Sequence, residues 1–293
     1  MGLICVYHKD CNDGFVSAYL VWEQAPTATF YPAQYNKTPI PKATKDDTVL
    51  IVDFSFGPED MKALCEKAYR VIVLDHHASA IKKIDHLKIN NLNMVLDVRK
   101  SGALLTWEYL YPDRKTNPPP MVTFTSDYDL WEFKHDKTKA FVRFLFFLGF
   151  DFLLYQRYGI KAEKEAIDEA IDVGTLLLKD DSIKIDHHLK NSWELLIGEH
   201  SFPIGVVNVP RYLTSEVCNE LAKDYWFVIG YNDTADGRVL RFNAEKDNDM
   251  DVSKLAEDFG GGGHKKSAGA VINKDIPWEQ VRQKLSNHID KLP

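Results

Sequence analysis

Two short apolar runs, each ending in an aspartate, constrain the fold of this chain more than any other feature. Residues 48–53 and 70–75 have β-branched, apolar interiors and are predicted to be strands. Stretches with apolar residues at helical spacing follow them, at 58–67 and 102–109. This alternation predicts an α/β fold with a mostly parallel sheet, and such sheets bind ligands outside the carboxyl ends of their strands.

The pattern is interrupted once and then begins again. Further strands at 3–7 and 94–97 and a helix at 14–24 complete the first part, and a charged helical segment at 161–191 follows it. The elements of the second pattern are a strand at 204–209, a helix at 215–223, and a hairpin that joins 226–231 to 238–243. We therefore expect a mostly parallel-sheet α/β domain at 1–191, which includes the helical connector, and a smaller α/β domain at 192–293.

Composition and charge exclude several classes of protein. Of the 293 residues, 45% are hydrophobic and 27% are charged, which is the balance of a globular protein rather than a disordered one. The net charge of −7 argues against a protein that coats long nucleic acid, because that binding requires many contacts from basic residues to phosphates. The N-terminal residues do not resemble a secretory signal, and four scattered cysteines are typical of a reducing compartment. We expect a cytoplasmic protein without a membrane partner.

Acidic residues and histidines form four clusters at predicted strand ends or in loops that could follow them. Each cluster alone is compatible with a cap or a solvated turn. Together they would converge at one edge of the sheet, where carboxylates with a minority of imidazoles suit two Mn²⁺ or Mg²⁺ ions. The clusters are His8-Lys9-Asp10-Cys11-Asn12-Asp13-Gly14, Asp53, Asp75-His76-His77 and Asp127-Tyr128-Asp129.

These motifs, in this order, resemble those of the DHH phosphoesterase family over nearly the whole chain. The Asp75-His76-His77 triplet follows an apolar strand, and a late run of four glycines, Gly260 to Gly263, leads into His264 and the Ala268-Gly269 pair. The resemblance implies a catalytic domain that holds two Mn²⁺ ions, with Mg²⁺ as the alternative. It also implies a DHH-associated C-terminal domain that binds the substrate.

The resemblance also implies roles for individual residues. Asp53 would bridge the two metal ions, Asp75 would orient a histidine of the triplet, and His77 would face the substrate phosphate. The implied metal ligands are His8, Asp13, Asp53, His76 and Asp127, and the implied substrate-binding residues are Gly261, Gly262, Gly263, His264 and Arg241.

The chain departs from the family pattern at the first motif. Many members have two aspartates, two residues apart, but here the residue two before Asp13 is Cys11, and a thiolate prefers softer ions than Mn²⁺. Asp10 or Asn12 could fill the position after a small loop adjustment. In the fourth motif two aspartates compete, and the place in the pattern favours Asp127.

A second Asp-His-His triplet, at Asp186-His187-His188, tests how specific the first one is. It ends the charged connector without a preceding apolar strand, so we interpret it as a solvated helix end. The glycine run does not match the nucleotide-binding P-loop, because Lys265 stands where that motif requires glycine.

The expected activity is hydrolysis of phosphodiester bonds in short oligonucleotides or in linear or cyclic dinucleotides, with exonuclease-type release of mononucleotides. One alternative is an inorganic pyrophosphatase or polyphosphatase that uses the same metal site. The other is a non-catalytic nucleotide-binding protein whose metal site has degenerated at Cys11. A homodimer is compatible with these readings.

Overall fold

A computed structural model describes residues 2–35 and 37–290 of the chain. The chain divides into two compact units, Met1–Leu178 and Lys179–Pro293. The division falls inside the long helix Lys164–Lys190, which corresponds to the predicted connector. The domain boundary predicted from the sequence, between residues 191 and 192, lies at the C-terminal end of that helix and stays a prediction.

The first unit contains a five-stranded sheet in which every neighbouring pair is parallel, as the sequence predicts. The strand order is β2-β1-β3-β4-β5, so the chain moves to one side of β1 and then continues on the other. In such sheets the carboxyl ends of strands beside the reversal form a crevice for ligands. The strands are β1 (Gly2–His8), β2 (Thr29–Ala33), β3 (Asp47–Val52), β4 (Arg70–Asp75) and β5 (Leu92–Leu96).

Alternate residues of these strands face two different hydrophobic layers. Val49 and Ile51 pack in one layer, whereas Leu50 and Val52 pack in the other. Side chains buried on both faces contribute about 1.5–3 kcal/mol each to stability, which explains the continuous apolar runs of β3 and β4. The helices are α1 (Asn12–Gln24), α2 (Pro58–Lys67), α3 (Ala78–Ile84), α4 (Gly102–Leu110), α5 (Pro120–Asp129), α6 (Thr138–Leu148), α7 (Phe152–Gln156) and α8 (Lys164–Lys190).

The second unit is a mixed sheet with helices on its faces. Its strand order is β10-β11-β9-β8-β7-β6, and only β7 and β8 are parallel neighbours. The predicted hairpin is confirmed, since β8 and β9 pair from Val228 with Asn243 to Thr234 with Gly237. The elements are β6 (Trp193–Ile197), β7 (Phe202–Asn208), α9 (Thr214–Leu221), β8 (Val228–Thr234), β9 (Gly237–Asn243), α10 (Val252–Asp258), β10 (Gly262–His264), β11 (Ser267–Ile272) and α11 (Trp278–Ile289).

Across residues 2–35 and 37–290, none of the helices combines the length and the hydropathy that a transmembrane span requires.

Candidate metal centre

Three adjacent strands of the first unit deliver polar side chains to one edge of the sheet. His8 ends β1, Asp53 directly follows β3, and His76 and His77 directly follow β4. These strands are parallel neighbours, so their carboxyl ends meet at the point where the strand order reverses. Asp53 adopts a left-handed backbone conformation with a φ of 53°, a strained state that is often found at functional sites.

Asp53 lies at the middle of this edge and is completely buried. Its Oδ1 is 3.0 Å from Nε2 of His76, and its Oδ2 is 3.6 Å from Nδ1 of His8. Neither oxygen accepts a hydrogen bond of normal geometry from the described residues. Burial would raise the pKa of Asp53, but the imidazoles of His76, His8 and His77 hold it well below the usual range. Both oxygens of this buried carboxylate therefore face imidazole nitrogens, and a cation that replaced the imidazole protons would meet both of them.

Asp13 reaches the same place from α1. Its carboxylate accepts hydrogen bonds from the backbone N–H groups of Gly102 and Ala103, which begin α4. The N-terminus of a helix favours negative charge, so α4 fixes this carboxylate. Its Oδ2 lies 3.7 Å from Nε2 of His76. The anion at the N-terminus of α4 is thus the carboxylate of Asp13, a side chain of the protein itself. The sequence did not reveal this role of Asp13.

Two glycines allow the backbone to approach Asp53. A Cβ atom at Gly102 would lie 2.4 Å from Cβ of Asp53 and 2.7 Å from its Oδ1. A Cβ atom at Gly14 would lie 2.4 Å from the carbonyl oxygen of His8 and 3.1 Å from Oδ2 of Asp53. Since real Cβ contacts are longer than most of these distances, side chains at either position would displace the centre.

The structure brings Asp129, and not the predicted Asp127, to the centre. Oδ2 of Asp129 lies 3.5 Å from Nε2 of His76. The Asp127 carboxylate is engaged elsewhere, because it accepts hydrogen bonds from the backbone N–H groups of Lys134 and His135 and from the Thr138 hydroxyl. Both aspartates lie on α5 rather than at a strand end or in a loop. We therefore replace Asp127 with Asp129 in the candidate ligand set.

Asp75 is buried behind the triplet and holds its last histidine. Oδ1 of Asp75 lies 2.8 Å from Nδ1 of His77 and accepts hydrogen bonds from the backbone N–H groups of His76 and His77. The Ser55 hydroxyl donates to the other oxygen. The Asp75 carboxylate therefore fixes the orientation of the His77 ring through Nδ1.

The first motif places Cys11 with the ligands. Atoms of His8, Cys11 and Asp53 lie within 4.8 Å of one another. Asp10, one of the two predicted substitutes, takes no part in the His, Cys, Asp and Glu groups of the described residues. Asp10 accepts a hydrogen bond from Gln34 at 3.4 Å, and the Asn12 amide donates to the carbonyl oxygen of Val142 at 3.4 Å.

The donor atoms form three overlapping groups with the chemistry of a divalent cation site. Each group contains three side-chain donors within 4.8 Å of one another. The carboxylates of Asp53, Asp129 and Asp13 raise the pKa of His76 to about 11 against the effect of burial. The negative charge concentrated here suits cations, and the carboxylate oxygens of Asp53 are donors that such cations prefer. The groups are His8–Cys11–Asp53, Asp53–His76–His77 and Asp13–His76–Asp129.

The second Asp-His-His triplet lies in the last turns of α8. Asp186 and His187 are exposed, and Nδ1 of His188 lies 2.8 Å from the carbonyl oxygen of Asn208. None of the three belongs to a metal-competent group among the described residues. The two Asp-His-His triplets therefore have different structural environments, and only the first lies among candidate metal ligands.

The last two glycines of the run in the second unit, Gly262 and Gly263, belong to an edge strand, and Gly260 lies in the turn before it. Gly262–His264 pairs with the start of β11. The Gly261 N–H donates to the carbonyl oxygen of Ala256 at 2.8 Å, so it is engaged within the protein rather than with an anion. A Cβ atom at Gly261 would lie 2.0 Å from the carbonyl oxygen of Gly269. The glycines thus permit close packing of β10 on β11, and His264 is exposed at the end of β10.

Arg241 stands in a row of glycines on the second sheet. It pairs with Gly230 on one side and with Gly269 on the other, and Gly269 pairs in turn with Gly262. Directly paired residues project from the same face, so among Gly262, Gly269, Arg241 and Gly230 only Arg241 carries a side chain. A Cβ atom at Gly269 would lie 3.0 Å from Nη1 of Arg241, which shows that the guanidinium extends over Gly269.

Comparison with known proteins shows which other proteins this chain is similar to. Residues 209–292 match the DHHA1 domain. Oligoribonuclease NrnB from Bacillus subtilis is 27% identical over 266 residues, which cover 83% of this chain and 64% of NrnB. The chain therefore spans slightly less than two thirds of that relative.

Two solved structures share the fold over nearly the full chain. The pGpG-specific phosphodiesterase PggH from Vibrio cholerae has a TM-score of 0.51 at 13% identity, with 99% of each chain covered. Exonuclease RecJ bound to manganese has a TM-score of 0.52 at 15% identity, with 99% of this chain and 91% of RecJ covered. The Asp75-His76-His77 triplet after β4 and the DHHA1 domain at residues 209–292 are the features by which this chain is similar to the DHH phosphoesterases.

Proposed function

We propose that the protein is a metal-dependent phosphodiesterase that uses two divalent ions, preferentially with Mn²⁺, to hydrolyse short oligonucleotides or linear dinucleotides. The buried carboxylate of Asp53 carries the proposal, because it meets His8 through one oxygen and His76 through the other and so joins two sets of candidate ligands. One group contains His8, and the other contains Asp13, His76 and Asp129. Two bound divalent ions supply an activated water nucleophile and neutralise charge on the phosphoryl oxygens.

The protein's own residues contribute orientation and charge. The N-terminus of α4 fixes the carboxylate of Asp13, and Asp75 fixes the ring of His77. The side chain of His77 is 17% exposed. Asp75 raises the pKa of His77 against the effect of burial, and the protonated ring donates a hydrogen bond to a phosphoryl oxygen or a proton to the leaving group.

The substrate class is supported by charge and by the relatives. NrnB is named an oligoribonuclease and PggH a pGpG-specific phosphodiesterase, so both are described as acting on short nucleotides. The net charge of −7 disfavours long nucleic acid as the substrate. In the second unit, Arg241 and His264 present donors that suit a phosphate.

Product analysis with a chelator control tests the proposal. Purified protein with Mn²⁺ is incubated with a 5′-phosphorylated dinucleotide, a cyclic dinucleotide, 3′-phosphoadenosine phosphate and pyrophosphate. We expect mononucleotide release from the linear dinucleotide that stops when chelator is added. Cleavage of pyrophosphate alone would instead identify a pyrophosphatase. Nucleotide binding without any cleavage would identify a non-catalytic protein.

Substitution of the two aspartates of α5 separates metal binding from stability. Asp129→Asn should lose bound Mn²⁺ and hydrolysis, because it removes a candidate metal ligand but leaves the hydrogen bonds of Asp127 intact. Asp127→Asn should keep its metal but lower the free energy of unfolding by about 1.5–3 kcal/mol, because its carboxylate accepts hydrogen bonds from Lys134, His135 and Thr138. Metal analysis and urea unfolding of both variants measure the two effects. Loss of metal in Asp127→Asn but not in Asp129→Asn would restore Asp127 as the ligand.

His264→Ala tests whether the second unit binds substrate. We expect KM for the dinucleotide to rise by about tenfold or more, since a hydrogen bond to a charged group contributes ~1.5–3 kcal/mol. Metal content and kcat should change little. His200→Ala is the matched control, because His200 is also an exposed histidine of the second unit. Equal KM values for the two variants would remove His264 from the substrate site.

A further inference from the structure

The thiol of Cys11 lies where the family pattern has a carboxylate. Its sulfur, an imidazole nitrogen of His8 and a carboxylate oxygen of Asp53 are within 4.8 Å of one another. Cys11 directly precedes α1 and has extended backbone angles, with φ −128° and ψ 133°. The short connection between β1 and α1 therefore holds this side chain beside the end of β1.

A second observation points independently to a ligand at this position. Both carboxylate oxygens of Asp53 and Nδ1 of His8 are buried without a hydrogen bond of normal geometry among the described residues. Asp53 is completely buried, so its lone pairs have no access to bulk water. The three donors share one location, and the buried atoms of Asp53 and His8 face each other and the His76 ring without a hydrogen bond of normal geometry.

The chemistry of the donors differs between the two ends of the centre. The group Asp13–His76–Asp129 offers two carboxylates and one imidazole, which suit Mn²⁺ or Mg²⁺. The group His8–Cys11–Asp53 offers nitrogen, sulfur and a single carboxylate oxygen. Sulfur and imidazole donors select softer ions such as Zn²⁺, Fe²⁺ and Co²⁺.

We propose that the Cys11 thiolate is a metal ligand, so that the His8–Cys11–Asp53 subsite prefers a softer divalent ion than the Asp13–His76–Asp129 subsite. The centre is then asymmetric and takes two different metals. When the ion binds, a sulfur–metal bond forms and the thiol proton passes to solvent. The inference rests on the metal centre of the proposed function and adds the identity of one ligand and its consequence for metal choice.

Cobalt absorption tests the ligand directly. Metal-free, reduced protein is titrated with Co²⁺, and the near-ultraviolet sulfur-to-cobalt charge-transfer band is recorded. We expect the band in the wild-type protein and in Cys65→Ser, because Cys65 lies on α2 outside the donor groups. Cys11→Ser and Cys11→Asp should lose it. Co²⁺ that binds to the wild-type protein without the band would overturn the proposal, as would a band that persists in Cys11→Ser.

Metal competition tests the preference. Wild-type protein dialysed against equal Zn²⁺ and Mn²⁺ should retain one equivalent of zinc per chain, and Cys11→Asp should shift this equivalent towards manganese. An unchanged ratio would refute the preference. If neither Cys11 variant folds, the wild-type protein still decides, because bound Zn²⁺ must protect Cys11 from alkylation as read by peptide mass spectrometry. Modification of Cys11 at the same rate with and without Zn²⁺ would overturn the proposal.

These readings do not depend on hydrolysis. A protein that shows the cobalt–sulfur band but cleaves no nucleotide would keep Cys11 as a ligand and refute the proposed activity. A protein that cleaves dinucleotides but lacks the band would support the proposed activity and refute Cys11 as a ligand.

Discussion

Asp53→Asn should have the largest effect on activity of any single substitution in the chain. We expect Mn²⁺-dependent hydrolysis to fall by far more than the ~10–100-fold typical of partners outside a metal's own ligands. The reason is that Asp53 is the acidic residue whose carboxylate meets the imidazoles of His8, His76 and His77 together. An amide of the same shape offers one neutral oxygen and an N–H group that repels cations. Steady-state kinetics and metal analysis of the purified variant measure both losses.

The matched control for Asp53→Asn is Asp186→Asn. Asp186 belongs to the second Asp-His-His triplet and is exposed on α8, so its change to asparagine should leave turnover and metal content at wild-type values. Circular dichroism checks that both variants are folded. Wild-type hydrolysis by a folded Asp53→Asn protein would refute the centre as described.

The strands that build the centre could be predicted because they are buried on both faces. Residues 48–53 and 70–75 carry β-branched side chains that pack in two hydrophobic layers, and each run ends with an aspartate where the strand ends. Strand β2 could not be predicted in this way. It contains Pro32 and lies at the sheet edge with partly exposed residues, so its apolar signal is weak.

The choice between Asp127 and Asp129 could not be made from motif order. Both lie on α5. At 3.6 residues per turn, the side chains of two helical residues that are two positions apart in sequence point in directions that differ by roughly 200°. One of them must therefore face away when the other faces the centre. The helix was itself hidden, because the prolines at 118–120 indicate a stop, whereas Pro120 occupies the first turn of α5, where its missing N–H is not needed.

The glycine run illustrates a different limit of sequence reasoning. Glycine is disfavoured in strands, so local propensity favours a loop at 260–263. The structure makes β10 from this segment because its backbone packs closely on Ala268 and Gly269. The strand forms only because β11 lies beside it, so the composition of the glycine run alone does not predict it.

Gly102→Ala should damage stability and catalysis together. The added Cβ would lie 2.4 Å from Cβ of Asp53 and 2.7 Å from its Oδ1, so α4 or the loop after β3 must shift. We expect the free energy of unfolding to fall by about 1–3 kcal/mol, as for other overpacked cores. The shift also disturbs the hydrogen bond from the Gly102 N–H to Asp13, and misplacing reacting groups by about 1 Å can cost roughly 100-fold in rate. Urea unfolding and kinetics at saturating Mn²⁺ measure the two effects.

Gly57→Ala separates the steric cause from the general effect of replacing a glycine before or within a helix. Gly57 precedes α2 with a φ of −64°, and a Cβ atom there would have no neighbour within 4 Å. We expect the free energy of unfolding and the turnover rate of this variant to equal those of the wild type. If Gly102→Ala matched it in both measurements, the close approach of α4 to Asp53 would have no role in holding the centre. If Gly102→Ala lost stability but kept its turnover, the contact would serve the fold alone, and the position of Asp13 would tolerate the displacement.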